Sequence, residues 1–129
     1  MIVLDTHAWI WWSAAPERLS DAAREAIDAA EQVGVCSISC WEVAMLVLRS
    51  RIELDREIER WIRQALAHPR ASGLPLTPEI ATRAALLEQE SFPGDPADRI
   101  IYATARHHGA ALVSRDGAIG GFDPPRVIW

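Results

Sequence analysis

The sequence predicts an α/β protein, a three-layer α/β/α sandwich with a small central parallel sheet. Short apolar stretches rich in Val and Ile alternate along the chain with longer stretches of helical character. This alternation favours parallel strands that are covered by helices on both faces. A chain of 129 residues is long enough to bury a core without disulfides or structural metals. We therefore expect a single domain over residues 1–129.

The first strand is predicted at Ile2, Val3 and Leu4, and it is followed directly by Asp5, Thr6 and a helical run. In open α/β sheets, ligands bind just beyond the carboxyl ends of the strands. Asp5 is therefore the first candidate for a functional carboxylate. The alternative is that Asp5 only caps the helix that follows, because Asp is a favoured N-cap residue.

The next stretch predicts a helix over residues 20–32, ended by Gly34, and a second strand over residues 35–38. Ser39 then opens an apolar helix through residue 49. Glu42 lies three residues after Ser39, and its position near the strand ends makes it a second candidate acid. The same S-x-x-E spacing describes a capping box, so helix capping is again the alternative.

The second half repeats the pattern of strands and capped helices. Thr77-Pro78 and Asp95-Pro96 each combine a cap residue with a proline at the first helical position. The elements predicted here are a helix that is capped at Leu54-Asp55 and stops near His68-Pro69, a weak strand at 74–76, helices over 79–90 and 96–107, a strand at 110–114 and a last strand at 126–129.

Two more acids join the candidate set. Asp116 follows the predicted strand at residues 110–114, so it lies beside Asp5 if the two strands are neighbours. Asp98 occupies the first turn of its helix, where it can project into the same cleft. Asp95 precedes the proline and is assigned to capping. Arg99 and Arg115 each adjoin a candidate acid, where they could hold a phosphate.

Composition excludes several classes of protein. All 13 basic residues are arginine, which excludes P-loop NTPases, Schiff-base enzymes and receiver domains, because each needs a lysine. The net charge of −5 argues against a broad phosphate-binding surface, unless a bound cation offsets clustered acids. Cys36 and Cys40 lack a second Cys or His pair, so we predict free thiols.

The chain shows no signal for a membrane or for export. No apolar run approaches the roughly 20 residues of a membrane-spanning helix, and the first residues lack the pattern of a signal peptide. We therefore expect a cytoplasmic protein with no membrane partner.

With these acids assembled, the sequence resembles the PIN-domain ribonucleases, and within them the VapC-like toxins of type II toxin–antitoxin pairs. Four motifs carry the resemblance in family order and cover nearly the whole chain: Val3-Leu4-Asp5-Thr6, Ser39-Cys-Trp-Glu42-Val, Asp95-Pro-Ala-Asp98-Arg-Ile-Ile-Tyr-Ala-Thr-Ala105 and Leu112-Val-Ser-Arg-Asp116. Each motif is weak alone, and the series is specific.

The resemblance implies a metal-dependent endoribonuclease, and the family's acids fall on Asp5, Glu42, Asp98 and Asp116. They would hold Mg²⁺ or Mn²⁺, in agreement with the preference of these ions for oxygen ligands. Thr6 and Ser114 match hydroxyl positions near the site, where Ser114 replaces a commoner threonine. The resemblance also implies a homodimer, a cognate antitoxin that blocks the pocket, and single-stranded or structured RNA as substrate.

We hypothesise that a metal-activated water hydrolyses an RNA phosphodiester bond, with Glu42 as a ligand or as the group that orients the water. The alternatives are a catalytically inactive PIN-like module for RNA binding or assembly, and a housekeeping nuclease with no toxin role. A phosphatase with an Asp nucleophile is disfavoured, because position 7 is His where that chemistry wants a second Asp, and the chain has no lysine.

Overall fold

A computed structural model describes all residues, 1–129, and contains five strands and seven α-helices. In chain order these elements are β1 Ile2–Leu4, α1 Thr6–Ala14, α2 Asp21–Ala29, β2 Val33–Cys36, α3 Ser37–Leu48, α4 Ile58–Leu66, β3 Ala71–Leu74, α5 Pro78–Leu86, α6 Pro96–His107, β4 Ala111–Val113, α7 Gly117–Phe122 and β5 Val127–Ile128. Short 3₁₀ turns follow α1 and α5, at Pro16–Arg18 and Leu87–Glu90.

All five strands are parallel and form one sheet in the order β3-β2-β1-β4-β5. The predicted α/β class and parallel sheet are confirmed. Strand β1 is central, since Leu4 pairs with Val35 of β2 on one side and with Val113 of β4 on the other. Strands β2 and β3 extend the sheet on one side of β1, and β4 and β5 extend it on the other side. Because β1 and β4 are parallel neighbours, their carboxyl ends lie side by side.

The sheet separates two apolar cores, one on each face. Ile2 and Leu4 face the core that α1, α2, α3 and α4 cover, and Trp9 is fully buried within it. Val3 faces the other core, which α5 and α6 cover with side chains such as Ile101. This alternation along β1 is the two-residue period of a strand that is buried on both faces. It confirms the three-layer arrangement.

Strand β2 and helix α3 begin earlier than the sequence predicts. Gly34 does not end a helix: it lies inside β2 and pairs with Val3, where an added Cβ would meet Leu74 Cδ1 at 2.6 Å. Ser39 does not cap α3 either, because the helix already begins at Ser37. Close packing against neighbouring strands, which a local pattern cannot show, selects glycine here.

Other boundaries also differ: α4 begins at Ile58 after the N-cap residue Glu57, so the predicted cap at Leu54-Asp55 is wrong. Strand β3 covers Ala71–Leu74, earlier than the predicted 74–76, because residues 71–74 pair with β2 before Pro75 interrupts the chain. Helix α7 was not predicted, since its sequence Gly-Ala-Ile-Gly-Gly-Phe has poor helix propensity. Thr77 and Asp95 cap α5 and α6 as predicted. None of the helices combines the length and apolar character needed to cross a bilayer.

Candidate active site

Asp5 and Asp116 lie at the adjoining carboxyl ends of β1 and β4. The backbone N–H of Asp5 donates to the Val113 carbonyl at 3.0 Å, which extends the strand pairing to the acid itself. Each carboxylate also caps a helix: Asp5 accepts from Ala8 N at 2.8 Å, and Asp116 accepts from Ala118 N at 2.9 Å. Capping and a place at the site are therefore compatible, since a single carboxylate oxygen serves as the cap.

Glu42 reaches the same edge from the second turn of α3, and a hydroxyl pair fixes its position. Its carboxylate accepts a short hydrogen bond from the Thr6 hydroxyl, whose oxygen lies 3.1 Å from the buried Ser39 hydroxyl. Thr6 has one hydroxyl proton, so the Ser39 hydroxyl supplies the proton for the second contact. Glu42 is thus oriented by Thr6 and Ser39, and the capping-box alternative is wrong.

Asp95 and Asp98 form the fourth part of the site, at the start of α6. They make a reciprocal capping box, in which Asp95 accepts from Asp98 N at 2.9 Å and Asp98 accepts from Asp95 N at 3.2 Å. Both carboxylates line the same cleft as the other acids. Their positions therefore do not distinguish a capping role for Asp95 from a chemical role for Asp98.

These residues line one open cleft of about 980 Å³. Asp5, Glu42, Asp98 and Asp116, the four predicted acids, all contribute to its wall, together with Thr6 and Arg115. Ser114 is buried beside the cleft, and its hydroxyl accepts a hydrogen bond from Asp116 N at 3.2 Å. Arg99 does not line the cleft: it forms an ion pair with Glu88 and donates to the Gly94 carbonyl.

Burial and mutual repulsion make the cleft electrostatically strained. Burial raises the pKa of Asp5, and the nearby Ser114 hydroxyl and Ala8 N–H only partly offset this effect. Burial also raises the pKa of Glu42. For Asp98, burial and then the negative charge of Asp95 raise the pKa to about 7. No arginine forms an ion pair with any of these carboxylates, so no direct ion pair neutralises their charges.

The donor set of the cleft fits a hard divalent cation. It offers carboxylate and hydroxyl oxygens without cysteine, which is the chemistry that Mg²⁺ and Mn²⁺ prefer. One oxygen of each carboxylate accepts a protein hydrogen bond, and the other accepts none from the backbone. As the side chains stand, no three of them converge closely enough to hold a metal ion. Binding a cation therefore requires carboxylates to rotate toward one another.

Several cleft residues were not found by the sequence reasoning. His7 and Arg51 line the cleft, as does Arg18 from the turn after α1. No local signal marks the two arginines, because long-range folding alone brings residues 18 and 51 to the first strand. His7 could have been found, since it follows Asp5 and Thr6 directly. Cys36 and Cys40 are free thiols, as predicted.

A parallel sheet in this order, with acids gathered at the carboxyl ends of β1 and β4 and at the start of α6, is the architecture of a PIN domain. The PIN-domain family model matches residues 2–122, and the chain belongs to this family. It is 44% identical over 130 residues to ribonuclease VapC22 of Mycobacterium tuberculosis, with 99% of this chain and 98% of that protein covered. The family resemblance read from the four motifs is therefore confirmed.

Solved structures show the same fold. A toxin–antitoxin complex from Klebsiella pneumoniae aligns with a TM-score of 0.71 and 25% identity, covering 100% of this chain and 97% of the other. VapC20 of Mycobacterium tuberculosis, described as a toxin that cleaves the sarcin–ricin loop, aligns with a TM-score of 0.67 and 17% identity, covering 95% of each chain.

The hydroxyl pair behind Glu42 gives a first prediction. Thr6→Val keeps the shape of the side chain but leaves the buried Ser39 hydroxyl and the Glu42 carboxylate without their shared partner. We expect a loss of about 1–3 kcal/mol in the free energy of unfolding, measured by urea denaturation. Thr6→Ser keeps the hydroxyl and is the matched control. Equal stability of Thr6→Val and wild type would show that the pair does not hold Glu42.

Proposed function

We propose that this PIN-domain protein is a divalent-metal-dependent endoribonuclease that acts as the toxin of a toxin–antitoxin pair. The observation that carries the proposal is the cleft itself, in which acids from four separate segments of the chain meet and none forms an ion pair with an arginine. The 44% identity to a ribonuclease over nearly the full chain gives the reaction class, hydrolysis of RNA phosphodiester bonds. The motif series supplies the expected roles of the residues.

The carboxylates divide into two roles. Asp5, Asp98 and Asp116 would hold Mg²⁺ or Mn²⁺ with their oxygens that accept no backbone hydrogen bond, and Asp95, which lines the same cleft, could join them. When bound, the cation lowers the pKa of water and stabilises the negative charge that develops on the phosphate. Glu42, held by Thr6, orients the attacking water or takes its proton. Arg115, exposed and without an acidic partner, is placed to contact the RNA phosphate.

The charge of Asp5 can be removed without removing its cap, because Asn caps helices as well as Asp does. We expect Asp5→Asn to lower the rate of RNA cleavage at least about 100-fold, since two factors of ten correspond to about 2.7 kcal/mol of lost transition-state stabilisation. The assay uses a mixed single-stranded and structured RNA pool with Mg²⁺ or Mn²⁺, and a chelator should stop the wild-type reaction.

The matched control is Asp28→Asn, which removes a carboxylate from an exposed position of α2 and should cleave like wild type. Cleavage by Asp5→Asn at the wild-type rate, or wild-type cleavage that persists in chelator, contradicts the proposal. Wild-type protein that cuts no RNA under any of these conditions supports the alternative of an inactive PIN-like module.

A cognate antitoxin is the proposed protein partner, on the strength of the structural likeness to the Klebsiella toxin–antitoxin complex. Expression of the wild-type chain in a bacterial host should arrest growth, and expression of Asp5→Asn should not. Co-expression of the antitoxin from the neighbouring reading frame should restore growth. Normal growth despite accumulation of wild-type protein would favour a housekeeping nuclease. The homodimer implied by the family resemblance stays a prediction.

A further inference from the structure

Three arginines at the cleft form no ion pair with an acid and donate no side-chain hydrogen bond within the protein. Of the other ten arginines, four form ion pairs with acids and two more donate to backbone carbonyls, whereas Arg49, Arg60, Arg63 and Arg83 make neither contact and lie outside the cleft. Arg18, Arg51 and Arg115 make neither kind of contact, yet all three line the acidic cleft and are exposed. Their positive charges are therefore available to a ligand that enters the cleft.

Two of these arginines also line a second cavity. This cavity has a volume of about 440 Å³ and is lined by Arg18, Leu19, Ser20, Arg115 and Trp129. Because Arg18 and Arg115 belong to both cavities, they stand at the boundary between the acids and the second cavity. A ligand that passes from one cavity into the other must pass these two guanidinium groups.

Trp129 forms an aromatic wall of the second cavity and packs against Trp11. The Trp129 ring is partly exposed and lies 5.6 Å from the Trp11 ring, measured between centroids. Trp11 is itself buried against the core, and the Arg115 guanidinium lies over its ring at 5.9 Å. Trp129 thus presents a supported indole to the cavity, next to two cations.

Resting on the proposed function, we propose that this second cavity, the Trp129 subsite, binds a nucleotide of single-stranded RNA next to the phosphate that is cut. The base stacks on Trp129, and Arg18 and Arg115 hold the phosphates between the subsite and the cleft. Stacking on aromatic rings together with a basic groove is how proteins bind single-stranded nucleic acid. The subsite would place the RNA backbone over the acids, where repulsion would otherwise exclude it.

An RNA strand fits these features better than an acidic peptide. The two arginines lie between the subsite and the carboxylates, where a phosphate backbone that continues into the cleft needs cations. A flat, partly exposed indole matches the face of a base, and every base offers such a face. The subsite therefore selects for unpaired nucleotides, because a base inside a duplex cannot reach the ring.

The test measures RNA affinity separately from cleavage. The full chain carrying Asp5→Asn is the parent, and fluorescence anisotropy in Mg²⁺ follows binding of a labelled ten-nucleotide RNA of randomised sequence. In this parent, Trp129→Leu should weaken binding about 5- to 100-fold, whereas Trp129→Phe should keep much of the affinity. Arg18→Gln and Arg115→Gln should each weaken binding and reduce the salt dependence, by about 0.7 in the log–log slope per arginine.

Arg60→Gln is the matched control, because Arg60 is exposed on α4 and outside both cavities. It should bind RNA like the parent. The proposal is overturned when the parent binds no RNA. It is also overturned when the Trp129→Leu and arginine variants bind RNA within twofold of the parent, even if these variants no longer bind the antitoxin. Since Arg18 and Arg115 are exposed, their variants keep the test valid if Trp129→Leu is unstable.

Failure of the subsite is distinguishable from failure of the proposed nuclease activity. The nuclease proposal is decided by cleavage in the wild-type chain, with and without chelator. The subsite proposal is decided by affinity in a chain that does not cleave. Suppose that the wild-type chain cleaves RNA, but substitution of Trp129, Arg18 or Arg115 leaves the RNA affinity of the Asp5→Asn parent unchanged. That result contradicts the subsite proposal alone.

Discussion

The rest of the structure depends on one constraint, which is that negative charges crowd where the strands end and the helices begin. Asp5, Asp95 and Asp116 each cap a helix, and the partial positive charge of a helix N-terminus stabilises a carboxylate there. The caps offset part of the cost of burying these charges, and they fix one oxygen of each of the three acids. The other oxygens remain for a ligand. Local helix stability and the chemistry of the cleft therefore use the same residues.

The helix caps offset only part of the electrostatic cost of placing these carboxylates together in the cleft. The pKa of Asp98 is raised to about 7 by burial and by the charge of Asp95, and no arginine forms an ion pair with either residue. Arg18, Arg51 and Arg115, which form no ion pair with an acid, line the same cleft instead. A divalent cation would neutralise the acids, and an RNA backbone would neutralise the arginines, so the two ligands complement separate parts of one surface.

The class of fold and the four acids could be predicted from sequence because both leave local signals. Apolar runs followed by Asp marked β1 and β4, and Asp95-Pro96 marked the start of α6. Gly34 misled the prediction, since only the packing of Leu74 shows why glycine lies inside β2. Ser39 looked like a cap, but its hydroxyl is buried against Thr6. Arg18, Arg51 and Trp129 had no local signal, because tertiary contacts alone bring them to the site.

The central claim is that the clustered acids hold a divalent cation, and direct titration with Mn²⁺ tests it without any substrate. Isothermal calorimetry of the wild-type chain should show saturable binding of Mn²⁺, and Asp5→Asn should lose about tenfold or more in affinity, which corresponds to about 1.4 kcal/mol. Asp28→Asn should bind like wild type. Wild-type protein that binds no Mn²⁺, or an Asp5→Asn variant that binds it unchanged, would contradict the account.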